Sequence, residues 1–118
     1  MVPIDELAEA ALAGDALRLR SLTQDWLAEQ RPMSRCAAPV SSDPTVRAIA
    51  AGLVEMLAER RNETPPSWTH QIEAAPQPTY LVKAARTMRR LRTICETESP
   101  PPLRRRNLLA PANFLQSV

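Results

Sequence analysis

The 118-residue chain is long enough for one small domain and too short for two ordinary ones. Twelve prolines against two glycines disfavour an all-β fold, because proline cannot donate to a β-ladder and the tight turns between strands call for glycine. Hydrophobic residues make up 44% of the chain, but 18 of them are alanine and only Trp26, Trp68, Tyr80 and Phe114 are aromatic, so the expected core is thin and its stability modest without a partner.

Ile4, Leu7, Ala8, Ala11 and Leu12 recur at helical spacing behind Pro3, and Gly14 is placed to end that helix in a left-handed conformation, which predicts a helix over residues 4–13. Asp15 can cap a second helix with Leu19, Leu22 and Trp26 on one stripe, stopping before Arg31-Pro32. Together they form an acidic helical hairpin over residues 1–30. Residues 31–43 show no periodicity and read as a loop. Asp43-Pro44 then opens the clearest helix, residues 44 to about 61, with Val46, Ile49, Ala50, Leu53 and Leu57 as its apolar stripe. Gly52 inside it is unfavourable by roughly 1 kcal/mol relative to alanine and marks a close helix contact.

Residues 65–78 are punctuated by proline, with one short helix around 67–74. A long two-faced helix is predicted from about 79 to 98: Leu81, Ala84, Met88, Leu91 and Cys95 share one band, and Lys83, Arg86, Arg89 and Arg90 the opposite one. Residues 44–98 form the helical core, and 99–118 a basic, proline-containing, irregular tail. The fold class is all-α, one small bundle of about four main helices.

The charge is uneven. Net charge is +2, yet residues 1–30 sum to −4, 31–64 to +1 and 65–118 to +5. This asymmetry suits an anionic partner or mutual attraction between the halves. Arg86, Arg89 and Arg90 with Arg104, Arg105 and Arg106 form the basic constellation, since guanidinium groups pair in two-pronged fashion with carboxylates and phosphates. Trp68 either anchors the proline-rich linker or serves a partner as a hot spot, and Phe114-Leu115 either folds back onto the core or inserts into another protein.

Catalytic patterns are missing: one histidine, no glycine-rich phosphate loop, no GxSxG and no HExxH. His70 and Cys95 have no spacing that argues for a base and nucleophile, and Cys95 on the apolar stripe reads as a buried, inert thiol. Acidic pairs such as Asp5-Glu6 and Glu55 with Glu59 read as solvated helix charges. Cys36, Cys95 and His70 are too few ligands for zinc, so no metal or other cofactor is expected. A helix-turn-helix at residues 4–30 carries the wrong charge for DNA. No membrane span or signal peptide is read, which places the protein in the cytoplasm with reduced thiols.

Pro65-Pro66-Ser67-Trp68-Thr69, Pro76-Gln77-Pro78-Thr79-Tyr80-Leu81, Glu98-Ser99-Pro100, Pro102-Leu103-Arg104-Arg105-Arg106-Asn107 and Ala110-Pro111-Ala112-Asn113-Phe114-Leu115 stand out within residues 44–118. This half resembles small bacterial helical proteins of antitoxin-like type that accompany nucleotidyltransferase-fold toxins. The resemblance implies a protein, encoded by a neighbouring gene, that this chain binds and silences. Ala13-Gly14-Asp15-Ala16-Leu17 is also similar to part of an ankyrin unit, without a second unit at about 33 residues. The expectation is thus a non-enzymatic protein-interaction module using Trp68, the six arginines, Phe114 and Leu115. The alternative is a nucleic-acid-binding regulator that uses the basic face of residues 83–106.

Overall fold

The helix that opens at Asp43-Pro44 is the axis of the molecule. In the computed structural model, which describes residues 2–29 and 32–116, helix α3 runs Pro44–Arg60, and the Asp43 carboxylate accepts hydrogen bonds from the Thr45 and Val46 amides at its start. The predicted stripe understates its burial, because every residue from 48 to 58 is buried. A helix apolar on all sides must be covered on all sides, and the alanines and Gly52 let the covering elements approach closely. Helix α1 (Ile4–Ala13) packs on it from one side; α5 (Pro101–Arg104) and a 3-10 turn at Ser67–Gln71 also pack on it. A methyl group at Gly52 would lie 2.9 Å from Leu108 Cδ1 and 3.0 Å from Leu103 Cδ2, so the glycine is the expected point of close approach.

The N-terminal hairpin forms as its capping residues dictate. Gly14 has φ 74° and ends α1 with its own amide bonded to the helix, and Asp15 accepts from the Arg18 amide in the first turn of α2 (Ala16–Glu29). Residues 30 and 31, at the predicted boundary between hairpin and loop, and the last two residues of the predicted tail lie outside the described residues. The loop that follows is more built than its sequence suggests. Met33 is fully buried in a short 3-10 turn, Met33–Arg35. Asp5, read above as a solvated charge, accepts the Val40 and Ser41 amides at 3.1 and 3.0 Å and ties the loop to α1.

The long helix predicted over 79–98 is divided into three pieces. Thr79–Tyr80 is a strand, β1, paired in parallel with β2 (Leu108–Leu109); Lys83–Arg86 is a 3-10 turn; only Arg89–Glu98 is α-helical, as α4. The physical reason is a competing long-range pairing. Thr79 and Leu81 amides donate to the Asn107 and Leu109 carbonyls, and the Ala75 amide donates to the Arg106 carbonyl, which lays residues 75–81 alongside 106–109. Of the proposed apolar band, Leu81 and Cys95 are buried, whereas Ala84 and Met88 are exposed. The tail from residue 99 is likewise not irregular surface: Leu103, Leu108 and Ala110 belong to the core cluster. The all-α class holds in outline, with five α-helices and one two-residue ladder among the described residues.

Candidate functional site

The six arginines of the predicted constellation have different roles. Arg86, from the 3-10 turn, donates to the Leu12 carbonyl at 2.9 Å, closing the C-terminal end of α1, which has no basic residue of its own there. Arg104 does the same for α4 through the Thr97 carbonyl at 2.6 Å. Both remain exposed, but each guanidinium already has a structural task.

Arg106 corrects the sequence reading outright. It is 7% exposed, inside the core, and its guanidinium grips Glu55, itself 6% exposed on α3. Arg106 Nη1 donates to Glu55 Oε1, and Nη2 donates to Oε2 at 3.2 Å and to the Thr69 carbonyl at 2.7 Å. Arg106 therefore offers nothing to a partner while the fold is intact. Glu55, read above as a solvated helix charge, is the carboxylate that the sequence reading missed. A lone acid inside an otherwise apolar run, residues 48–58, is the signal for it, since a carboxylate on an enclosed helix requires a buried cation. Burial pushes the Glu55 carboxyl up, but Arg106, with Thr69 and Arg105, overrides this and holds it below the ordinary carboxylate value. Arg105 Nη2 lies 3.5 Å from Glu55 Oε1 with its side chain 61% exposed, and His70 Nδ1 lies 3.8 Å from Oε2 at the mouth of the cluster.

Arg89 and Arg90 are the exceptions. Both are exposed in the first turn of α4, and neither guanidinium has a hydrogen-bond or ion-pair partner among the described residues. Their position is electrostatically unfavourable. The N-terminal end of a helix carries partial positive charge, and α4 begins there without an acidic residue or a side-chain cap. Arg92, in the same turn, bends back to the Ala85 and Arg86 carbonyls. Met88, immediately before the pair, is 55% exposed.

The apolar candidates are packed inward to different degrees. Trp68 is half-buried against the core and its indole N–H donates to the Cys36 carbonyl at 2.9 Å, pinning the proline-rich segment to the 33–43 loop. Phe114 and Leu115 are also half-buried against the core. Arg60 donates to the Phe114 and Ala112 carbonyls and fastens this segment to the end of α3.

Other chemistry is sparse. Cys36 and Cys95 are free and buried, and burial pushes the Cys36 thiol up to about 11 and raises that of Cys95. Among the described residues, no group of three histidine, cysteine or acidic side chains could hold a metal ion, and no helix is long and apolar enough to cross a membrane. The constellation read from sequence thus separates into a buried pair at Glu55 and Arg106, two helix-closing arginines, exposed Arg105, and the open pair Arg89 and Arg90. No protein-family model, curated protein or solved structure matches the chain.

Proposed function

We propose that this chain is a non-catalytic protein-interaction module of antitoxin-like type that docks an acidic surface of its partner against the start of α4. The observation that carries the reading is Arg89-Arg90: two exposed guanidiniums without hydrogen-bond or ion-pair partners among the described residues, placed where the helix disfavours them and preceded by an exposed methionine. Features that weaken a fold locally are expected where function requires them. Arginine beside an apolar side chain is also the composition of interface hot spots. The resemblance of the C-terminal half supplies the class of partner, a nucleotidyltransferase-fold toxin encoded by a neighbouring gene.

Co-expression with the neighbouring gene product tests this. The two proteins are expected to co-purify, with the partner's enzymatic activity suppressed. Arg89→Glu/Arg90→Glu is expected to break the complex, and Arg35→Glu, an exposed control in the 33–35 turn, to leave it intact. A monomer that neither binds nor inhibits that product overturns the proposal. Retention on DNA or RNA that falls steeply with salt, and is lost in the same double variant, replaces it with the nucleic-acid reading.

A further inference from the structure

Leu17 is one of three large apolar side chains, with Val40 and Met88, that are exposed among the described residues. Leu19, two positions on, faces the core, and Leu17 points away from it, 84% exposed. It stands on the wall of a groove of about 460 Å³ formed by the α1–α2 turn, residues 81–84 and residues 111–115. Val82, Phe114 and Leu115 are half-buried in this groove. Leu115 has φ 55°, a left-handed backbone that bulky side chains avoid. The Arg60 hydrogen bonds fasten the backbone beside it. Strained backbone retained next to an open apolar surface is characteristic of a working site.

The rim decides what fits. Lys83 lines the groove, and its ammonium has no partner among the described residues; Arg20, also on the lining, is engaged with the Gln116 carbonyl at 3.4 Å, so Lys83 is the cation open to a ligand. Asp15, the one acid on the lining, accepts from the Arg18 amide as the cap of α2. From Lys83 the chain passes through the 3-10 turn into α4 and its open arginines. An apolar floor under a basic rim is complementary to an amphipathic helix with acidic flanks. We infer that this groove receives such a helix from the partner protein, with leucine-sized side chains against Leu17, Val82 and Phe114 and a carboxylate at Lys83. The inference rests on the protein-binding reading above and narrows it to one surface.

The probe is a fluorescein-labelled synthetic peptide with leucines at i, i+3, i+4 and i+7 and glutamates on the other face, followed by anisotropy with the full chain. The wild-type chain binds it, and Leu17→Asp and Lys83→Glu each weaken binding by about tenfold or more. Val40→Asp, at a site 90% exposed in the 33–43 loop, leaves binding unchanged, and a peptide with lysines in place of glutamates binds at least about tenfold more weakly. Absence of peptide binding, or equal binding by the Leu17 and Val40 variants, overturns the inference. So does binding of decanoate without the peptide, which would make the groove a lipid site, or a dimer abolished by Leu17→Asp, which would make the occupant a second copy. If the co-purified partner is kept by Leu17→Asp and lost by Arg89→Glu/Arg90→Glu, the groove assignment falls and the module reading stands.

Discussion

Replacing Arg106 with methionine tests whether the basic tail is surface or core. The substitution keeps much of the side-chain volume but removes both prongs of the grip on Glu55 and the donor to the Thr69 carbonyl. Breaking a buried ion pair by deleting one member destabilises by roughly 3–5 kcal/mol, because the remaining charge stays buried without compensation. Arg105 lies near the same carboxylate but is largely solvated, so it recovers little of this. A loss near 4 kcal/mol would be a large share of the roughly 5–15 kcal/mol that holds a domain together. Urea unfolding followed by far-UV circular dichroism at pH 7 gives the value. The companion Glu55→Gln/Arg106→Met removes the stranded charge and is expected to recover part of the loss. Acid provides an independent check. Because the folded Glu55 carboxyl lies below its unfolded value, its contribution is complete above the unfolded pKa and disappears as pH falls through the folded one. Wild-type stability should therefore decline in acid more steeply than that of Glu55→Gln. A cost below about 0.5 kcal/mol for Arg106→Met, the range of an ordinary surface change, would refute the burial of this pair.

Four further outcomes follow from local geometry. Arg89→Glu/Arg90→Glu should raise thermal stability slightly, by about 0.3–1 kcal/mol per site, because acids suit the first turn of α4; a clear fall in melting temperature would contradict the position argued for these residues. Gly52→Ala should destabilise by about 1–3 kcal/mol despite alanine's better helix propensity, since the added methyl meets two fully buried leucines. Gly14→Ala should also destabilise, through its φ of 74° and a 2.7 Å approach to Lys83 Cβ; chemical denaturation of either variant measures the sign. Both thiols should resist Ellman's reagent at pH 8 in the folded protein and react on denaturation, because a Cys36 pKa of about 11 leaves roughly one thiolate in a thousand; rapid labelling of native protein would show them accessible.

The elements that local chemistry specifies were readable from the sequence. Pro3, Gly14, Asp15 and Asp43-Pro44 act within a few residues of themselves, and the helices α1, α2 and α3 begin or end where these residues place them. The apolar spacing of residues 79–81 is helical while their hydrogen-bond partners lie at 107–109, and no periodicity encodes a distant pairing; residues 82–88 bond locally in a 3-10 turn instead. Three adjacent arginines posed the same difficulty at the site. Arg104 reaches the end of α4, Arg105 lies largely in solvent, and Arg106 enters the core. The difference is set by Glu55, about fifty residues earlier, and becomes visible only once α3 is known to be enclosed on all sides.

The attachment of the C-terminal segment to α3 also sets the order of events during synthesis. Leu103, Arg106, Leu108 and Ala110 all complete the covering of a helix made much earlier, while chains emerge N-terminus first at about 5–20 residues per second. The α1–α2 hairpin can form locally as it emerges, but α3 must wait with an apolar surface and an unpaired Glu55 until residue 106 arrives. A product broken off ahead of that segment leaves Glu55 without its cation and exposes the face around Gly52 that Leu103 and Leu108 cover. Exposed apolar surface of this kind is what chaperones and proteases recognise, so the covering of α3 by the C-terminal segment separates the finished chain from its fragments.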